Sequence, residues 1–182
     1  MRLSRLFALL VLIVLSTFHV SAQWSQPSAS VIPEADGYVT IPNVAVAPDK
    51  KRIYRAIYDA TRSAKDPSQL VPALNMAGSE LNALGAVGIP LGNAKFVIVF
   101  HGPAVDGILD DAHYKAKFGI SDPNLKVLAE LKKAGVAIFV CGQHLASEKI
   151  DPKMISHDVT VASDALIVLM AYQNDGYALM SF

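Results

Sequence analysis

Two runs of five apolar residues constrain this chain more than any other feature. Phe96-Val97-Ile98-Val99-Phe100 and Val136-Ala137-Ile138-Phe139-Val140 are continuous rather than alternating. A run that short, with no polar side, fits a strand covered on both faces. Each ends in a turn: His101-Gly102-Pro103 after the first, Cys141-Gly142-Gln143 after the second. A helix is written between them. Ser121-Asp122-Pro123 supplies a cap and a first-turn proline, and Val127, Leu128, Leu131 and Ala134 make an apolar stripe. Lys132 and Lys133 fill the last turn, and Gly135 terminates it. Strand, helix and strand in this order form a parallel crossover unit, which is right-handed almost without exception. The two strands are therefore expected to be neighbours or near neighbours.

The same grammar extends in both directions. Upstream, Leu70, Leu74, Ala77, Leu81 and Leu84 recur at helical spacing, and Gly85, Gly88 and Pro90 end that helix. Before it, Ile53, Arg55, Ile57 and Asp59 alternate with Tyr54, Ala56 and Tyr58, which favours a strand over Arg52 to Asp59, with a short helix as the competing reading. Downstream, Val159 to Val161 is short and β-branched. Ser163 is placed to cap a helix through Ile167, Met170 and Ala171, Gly176 ends it, and Tyr177 to Phe182 can form a last strand, buried or at an interface. The expected fold class is α/β: three layers, a mostly parallel sheet with helices on both faces. Ligands in such sheets bind outside the carboxyl ends of the strands. His101 and Cys141 are the first residues past two of those ends, so the topology brings them to one edge.

The chain start carries different information. Arg2 and Arg5 precede an unbroken apolar stretch, Leu6 to Leu15, and Val20-Ser21-Ala22 offers small residues at a cleavage point. This is the composition of a secretory signal peptide over residues 1–22, too short for the roughly 20 apolar residues of a spanning helix. The expectation is export to the periplasm, with no membrane association after cleavage. Residues 23–49 are rich in Pro, Ser and Ala and read as an extended lead-in with a short strand at Tyr38 to Ile41; residues 50–182 form the α/β domain. Sixteen basic side chains balance sixteen acidic ones, and loss of Arg2 and Arg5 leaves a slight acidic excess. No basic stripe suggests nucleic acid as a partner.

One cysteine in an exported chain cannot form an intramolecular disulfide, so the core must hold the fold. Cys141 is then a small buried side chain, one half of a disulfide between chains, or a reactive thiol. A helix or turn starting at Gly142 would aim backbone N–H groups at the sulfur and favour thiolate. Gly142 would also let the backbone approach a ligand closely, and His101 or His144 could supply a charge or a proton acceptor. For His101 itself, a partner for Cys141 and a satisfied edge histidine stand equal.

Other chemistries lack their residues. There is no Cys-x-x-Cys for a dithiol couple. No arginine follows Arg62, so an arginine-closed anion loop cannot form around Cys141. Neither a Gly-x-Ser-x-Gly elbow nor a glycine-rich dinucleotide turn is present. Cys141-x-x-His144 is half of a metal spacing, but His101, His113 and His157 do not complete it, so no metal or other cofactor is expected. Asp106, Asp110 and Asp111 read as a solvated helix face before they read as an acid–base pair. The Gly102-Pro103 turn can open a short helix from Ala104 to Leu109.

Several segments resemble one known family. Lys95 to Ala104, Leu128 to Gly135, Val140-Cys141-Gly142-Gln143, and the ending from Asp164 through Tyr172-Gln173 to Gly176-Tyr177 are similar in order and spacing to exported DsrE-family proteins. The resemblance spans about Arg52 to Phe182. It implies a DsrE/DsrF or YchN type of α/β fold assembled as a homo-oligomer, a trimer or hexamer. It also implies a sulfur carrier or sulfurtransferase role in which a single cysteine accepts sulfane sulfur as a persulfide and passes it on. By position that cysteine would be Cys141, with His101 beside it and Gly102, Gly142, Gln143 and His144 around the substrate. A sulfur donor or acceptor protein would be the partner. The relay members of the family are cytoplasmic, whereas this chain has a signal-like start. The alternative is a non-catalytic ligand-binding or assembly module with an inert cysteine.

Overall fold

A computed structural model describes residues 24–182. The expected signal peptide, residues 1–22, lies outside the described residues. Both apolar runs are strands: β2 (Ala94–Phe100) and β3 (Ala137–Cys141). They pair in parallel, with Val97 opposite Ala137 and Phe100 opposite Val140. The alternating segment upstream is also a strand, β1 (Tyr54–Ala60), and settles the competition with a helix. Two short strands complete the sheet, β4 (Thr160–Ala162) and β5 (Ala178–Ser181). The order is β4-β3-β2-β1-β5, and every pairing is parallel.

The helices follow their sequence signals closely. Helix α1 (Pro72–Ala86) begins on a proline, and the chain leaves it through Gly88 at φ +73°. An unpredicted helix, α2 (Asp111–Phe118), follows a 3-10 turn over Gly102–Ile108. It buries only Tyr114, but Asp110 caps its start and Gly119 at φ +78° closes its end. Helix α3 (Asn124–Lys133) buries Val127, Leu128 and Leu131; Asp122 Oδ1 accepts from the Asn124 N–H, and Pro123 sits between them. Helix α4 (Gly142–Glu148) starts directly after β3. Helix α5 (Ala165–Asn174) is capped by Asp164, whose Oδ1 accepts from the Leu166 N–H at 2.6 Å, and not by Ser163. The carboxylate one residue later reaches the first-turn N–H that a cap must satisfy.

Helices cover both faces of the sheet, unequally. On one face Leu74, Ala77 and Leu81 of α1 and Val127, Leu128 and Leu131 of α3 pack with Tyr58, Phe96, Ile98 and Phe100 in one large core. On the other, α5 alone lies over Ile57, Val97, Val99 and Cys141 through Ala165 and Leu169. Each fully buried aliphatic side chain stabilises by roughly 1.5–3 kcal/mol, so the α1/α3 side dominates stability.

Three expectations about the chain ends are corrected. Tyr38 to Ile41 is no strand; Tyr38 makes only an isolated bridge to Ser28, because no neighbouring strand continues the ladder. The lead-in is also not merely extended. Its Ile32, 0% exposed, and Ala35 join the main core, and Asn82 of α1 holds the Ile32 backbone through both N–H and carbonyl. At the other end, β5 forms from the expected residues but all four are exposed, so a buried strand is not what the lone chain builds.

Candidate functional site

The carboxyl ends of β1, β2 and β3 put three polar side chains on the face that α5 covers. Cys141 ends β3, His101 follows β2, and Asp59 is the next-to-last residue of β1. Phe100 pairs with Val140, so His101 and Cys141 follow at matched positions. Side chains alternate across a strand, so His101 shares a face with Val97 and Val99, and Asp59 with Ile57. Cys141 belongs to the same cluster as those residues.

Cys141 is the better defined of the three. It is 6% exposed and free of any disulfide. Its Sγ accepts two backbone N–H groups, from His144 in the first turn of α4 at 3.4 Å and from Ala165 at the start of α5 at 3.3 Å. The first turns of α4 and α5 therefore each present a backbone N–H to one sulfur. The geometry follows from the strand order: β3 feeds α4 directly, and the next-door β4 feeds α5 at the same edge.

Gly142 has a structural reason. A Cβ there would sit 2.7 Å from the Ala162 carbonyl oxygen, so only glycine lets β3 turn into α4 against the end of β4. The close backbone contact that glycine permits here is to Ala162. Gln143 is exposed and His144 half-buried at the start of α4. Gly102 adopts φ +59° at the turn after β2, a left-handed conformation that glycine takes without strain.

His101 does not hydrogen-bond to Cys141. Its Nε2 lies 2.7 Å from Asp59 Oδ1, with both side chains partly shielded from water. The pair is missing from the sequence reading because the partners are 42 residues apart. Its one trace was an acidic residue, Asp59, near the carboxyl end of a strand that also carries Arg55. The carboxylate orients the ring and leaves Nδ1 as the free nitrogen.

The other candidates resolve into structural roles. Asp106 pairs with Lys117, Asp110 caps α2 and binds the His113 ring at 2.7 Å, and Asp111 accepts from the Asp122 N–H. His157 is a surface residue. Among the described residues, no three His, Cys, Asp or Glu side chains cluster in a way that could hold a metal, and no helix is long and apolar enough to cross a membrane.

A sequence profile of the DsrE/DsrF-like family matches residues 53–182, most of the chain. Two solved structures share the fold. One is a protein of unknown function, MTH1491 from Methanobacterium thermoautotrophicum, at 16% identity and TM-score 0.52; the alignment covers 71% of this chain and 99% of that one. The other is the YchN protein from E. coli, at 14% identity and TM-score 0.50, with the same coverage of both chains. At such identities the likeness speaks for the fold. No curated protein matches the sequence.

Proposed function

Because the chain belongs to the DsrE/DsrF-like family, we propose that it is an exported sulfur carrier working through one thiol, Cys141. The thiolate attacks the outer sulfur of a persulfide or polysulfide donor. A new S–S bond forms on Cys141, the donor's S–S bond breaks, and its inner sulfur leaves as a thiolate. An acceptor thiolate then takes the outer sulfur from Cys141 and regenerates the starting state. Each exchange conserves electrons, so no cofactor enters. His101, held by Asp59 on the same sheet edge, is the group to receive the thiol proton. Gly102, Gly142, Gln143 and His144 frame the approach to the sulfur.

The observation that carries this reading is the convergence of two helix amino termini on Cys141 Sγ. A buried inert cysteine packs as a small apolar side chain and needs no such donors. The second reading, a binding or assembly module, draws support from the 6% exposure of Cys141. Alkylation at neutral pH separates the two. The carrier reading expects the native protein's thiol to react at least as fast as that of the unfolded chain. A native thiol that reacts only on unfolding supports the module.

The carrier is further proposed to act as a homo-oligomer in the periplasm. Export rests on the signal-like residues 1–22. Assembly rests on α5, which is apolar on both sides. Ala165 and Leu169 face the sheet, while Leu166, Ile167 and Met170 stand 61%, 55% and 56% exposed. A helix that is hydrophobic all round belongs inside a larger body. A second copy of this chain is the occupant we assign to that outer stripe.

A further inference from the structure

Cys141 does not have the first turn of α5 to itself. The Ala165 N–H donates to Sγ at 3.3 Å, and the next N–H along, that of Leu166, donates to Asp164 Oδ1 at 2.6 Å. Asp164 immediately precedes Ala165 and is the capping residue of the helix. First-turn N–H groups have no partner within the helix and point out of its end. A carboxylate and the sulfur therefore share one helix end, held by successive N–H groups.

No basic side chain of either first turn offsets that charge. Helix α5 opens Ala165-Leu166-Ile167-Val168 and α4 opens Gly142-Gln143-His144-Leu145, with no lysine or arginine in either. Glu148 and Lys149 stand together at the far end of α4. From the sheet, Asp59 and His101 face the same edge, bonded to each other at 2.7 Å. Asp59, His101 and Asp164 together carry a net negative formal charge whether or not the ring is protonated. A second negative charge brought up to the sulfur is therefore repelled.

Resting on the carrier reading, we propose that Asp164 determines the charge of the sulfur donor: Cys141 takes sulfur faster from donors without negative charge than from anionic ones. The bonds made and broken are unchanged. The Cys141 thiolate attacks the donor's outer sulfur and the inner sulfur leaves as a thiolate. Only the approach of the donor is selected. Asp164 is half-buried, so water and salt limit the selection to about two- to fivefold for one unit charge.

The probes are iodoacetamide, which is neutral, and iodoacetate, which is an anion. Both alkylate the thiolate by one displacement, in which an S–C bond forms and iodide leaves. The ratio of the two rates therefore cancels the thiolate fraction and the general accessibility of the sulfur. Asp164→Asn removes the charge and keeps a side-chain oxygen that caps a helix about as well. At low salt the ratio of iodoacetate to iodoacetamide rates should rise about two- to fivefold in Asp164→Asn. Added salt should raise the wild-type ratio toward that of the variant. Asp175→Asn, which removes the same charge from the other end of α5, should leave the ratio unchanged. Circular dichroism and thermal melts confirm that each variant is folded. A ratio unmoved by Asp164→Asn, or raised equally by Asp175→Asn, overturns the proposal and leaves Cys141 as a carrier. A native thiol that neither reagent modifies overturns the carrier reading and this proposal with it.

Discussion

At the scale of single residues, three side chains decide whether the edge of the sheet works as a site. Asp59 is argued to act through His101 rather than on the sulfur. Asp59→Asn keeps a polar partner at 59 but removes the charge that holds the ring. Persulfide formation on Cys141 should then slow by about 10–100-fold, on the scale of a weakened general base. A time course read by mass spectrometry checks this, and an unchanged rate removes the Asp59–His101 pair from the mechanism. Gly142 makes a purely steric prediction. An alanine Cβ would lie 2.7 Å from the Ala162 carbonyl, so Gly142→Ala should cost about 1–3 kcal/mol of stability by overpacking, measured by denaturant unfolding.

Asp122 makes the pH prediction. Burial, aided by the Asp111 charge and opposed by the hydrogen bonds from Asn124, pushes its carboxyl up to about 6. The folded state therefore holds this proton more tightly than the unfolded chain. The resulting stability is fully present below about pH 4, the ordinary range for an aspartate, and is lost as pH rises through 6. Melting temperatures of the wild type should fall across pH 4–6 relative to those of Asp122→Asn. Parallel curves for the two proteins would contradict the assignment.

At the scale of elements, the readable parts were those with local causes. β2 and β3 were legible because an unbroken apolar run admits few other fates, and α3 because its cap, stripe and terminator are all local. Helix α2 was missed because it buries one side chain, Tyr114, and its capping residues Asp110 and Gly119 are the whole of its signal. The packing of the lead-in was missed for the opposite reason. Gly78 and Gly85, seven residues apart in α1, leave room for Ala35 and Val31. A glycine inside a helix costs about 1 kcal/mol and so calls for a packing reason; only the fold identifies the reason. Helix α5 carries the element-scale prediction. Ile167→Glu places a charge in its exposed apolar stripe and should shift the protein toward monomer in light scattering, with the fold retained. An unchanged oligomer would assign the interface to another surface.

At the scale of the whole molecule, class was legible and arrangement less so. Alternation of strands and helices implied a parallel sheet covered on both sides, and β2 and β3 are indeed neighbours. The placement of β5 beside β1, and of two helix amino termini on one sulfur, depends on how the crossovers are distributed, which no local signal records. The same holds for His101: both readings had it at the strand edge, but its bonded partner came from 42 residues away. The family assignment and the fold agree.

The most direct measurement is the intact mass of the purified protein after incubation with polysulfide under anaerobic conditions. The account predicts a gain of one sulfur atom, located at Cys141, reversed by a thiol acceptor and absent from Cys141→Ser. A folded wild-type protein whose mass does not change would contradict it.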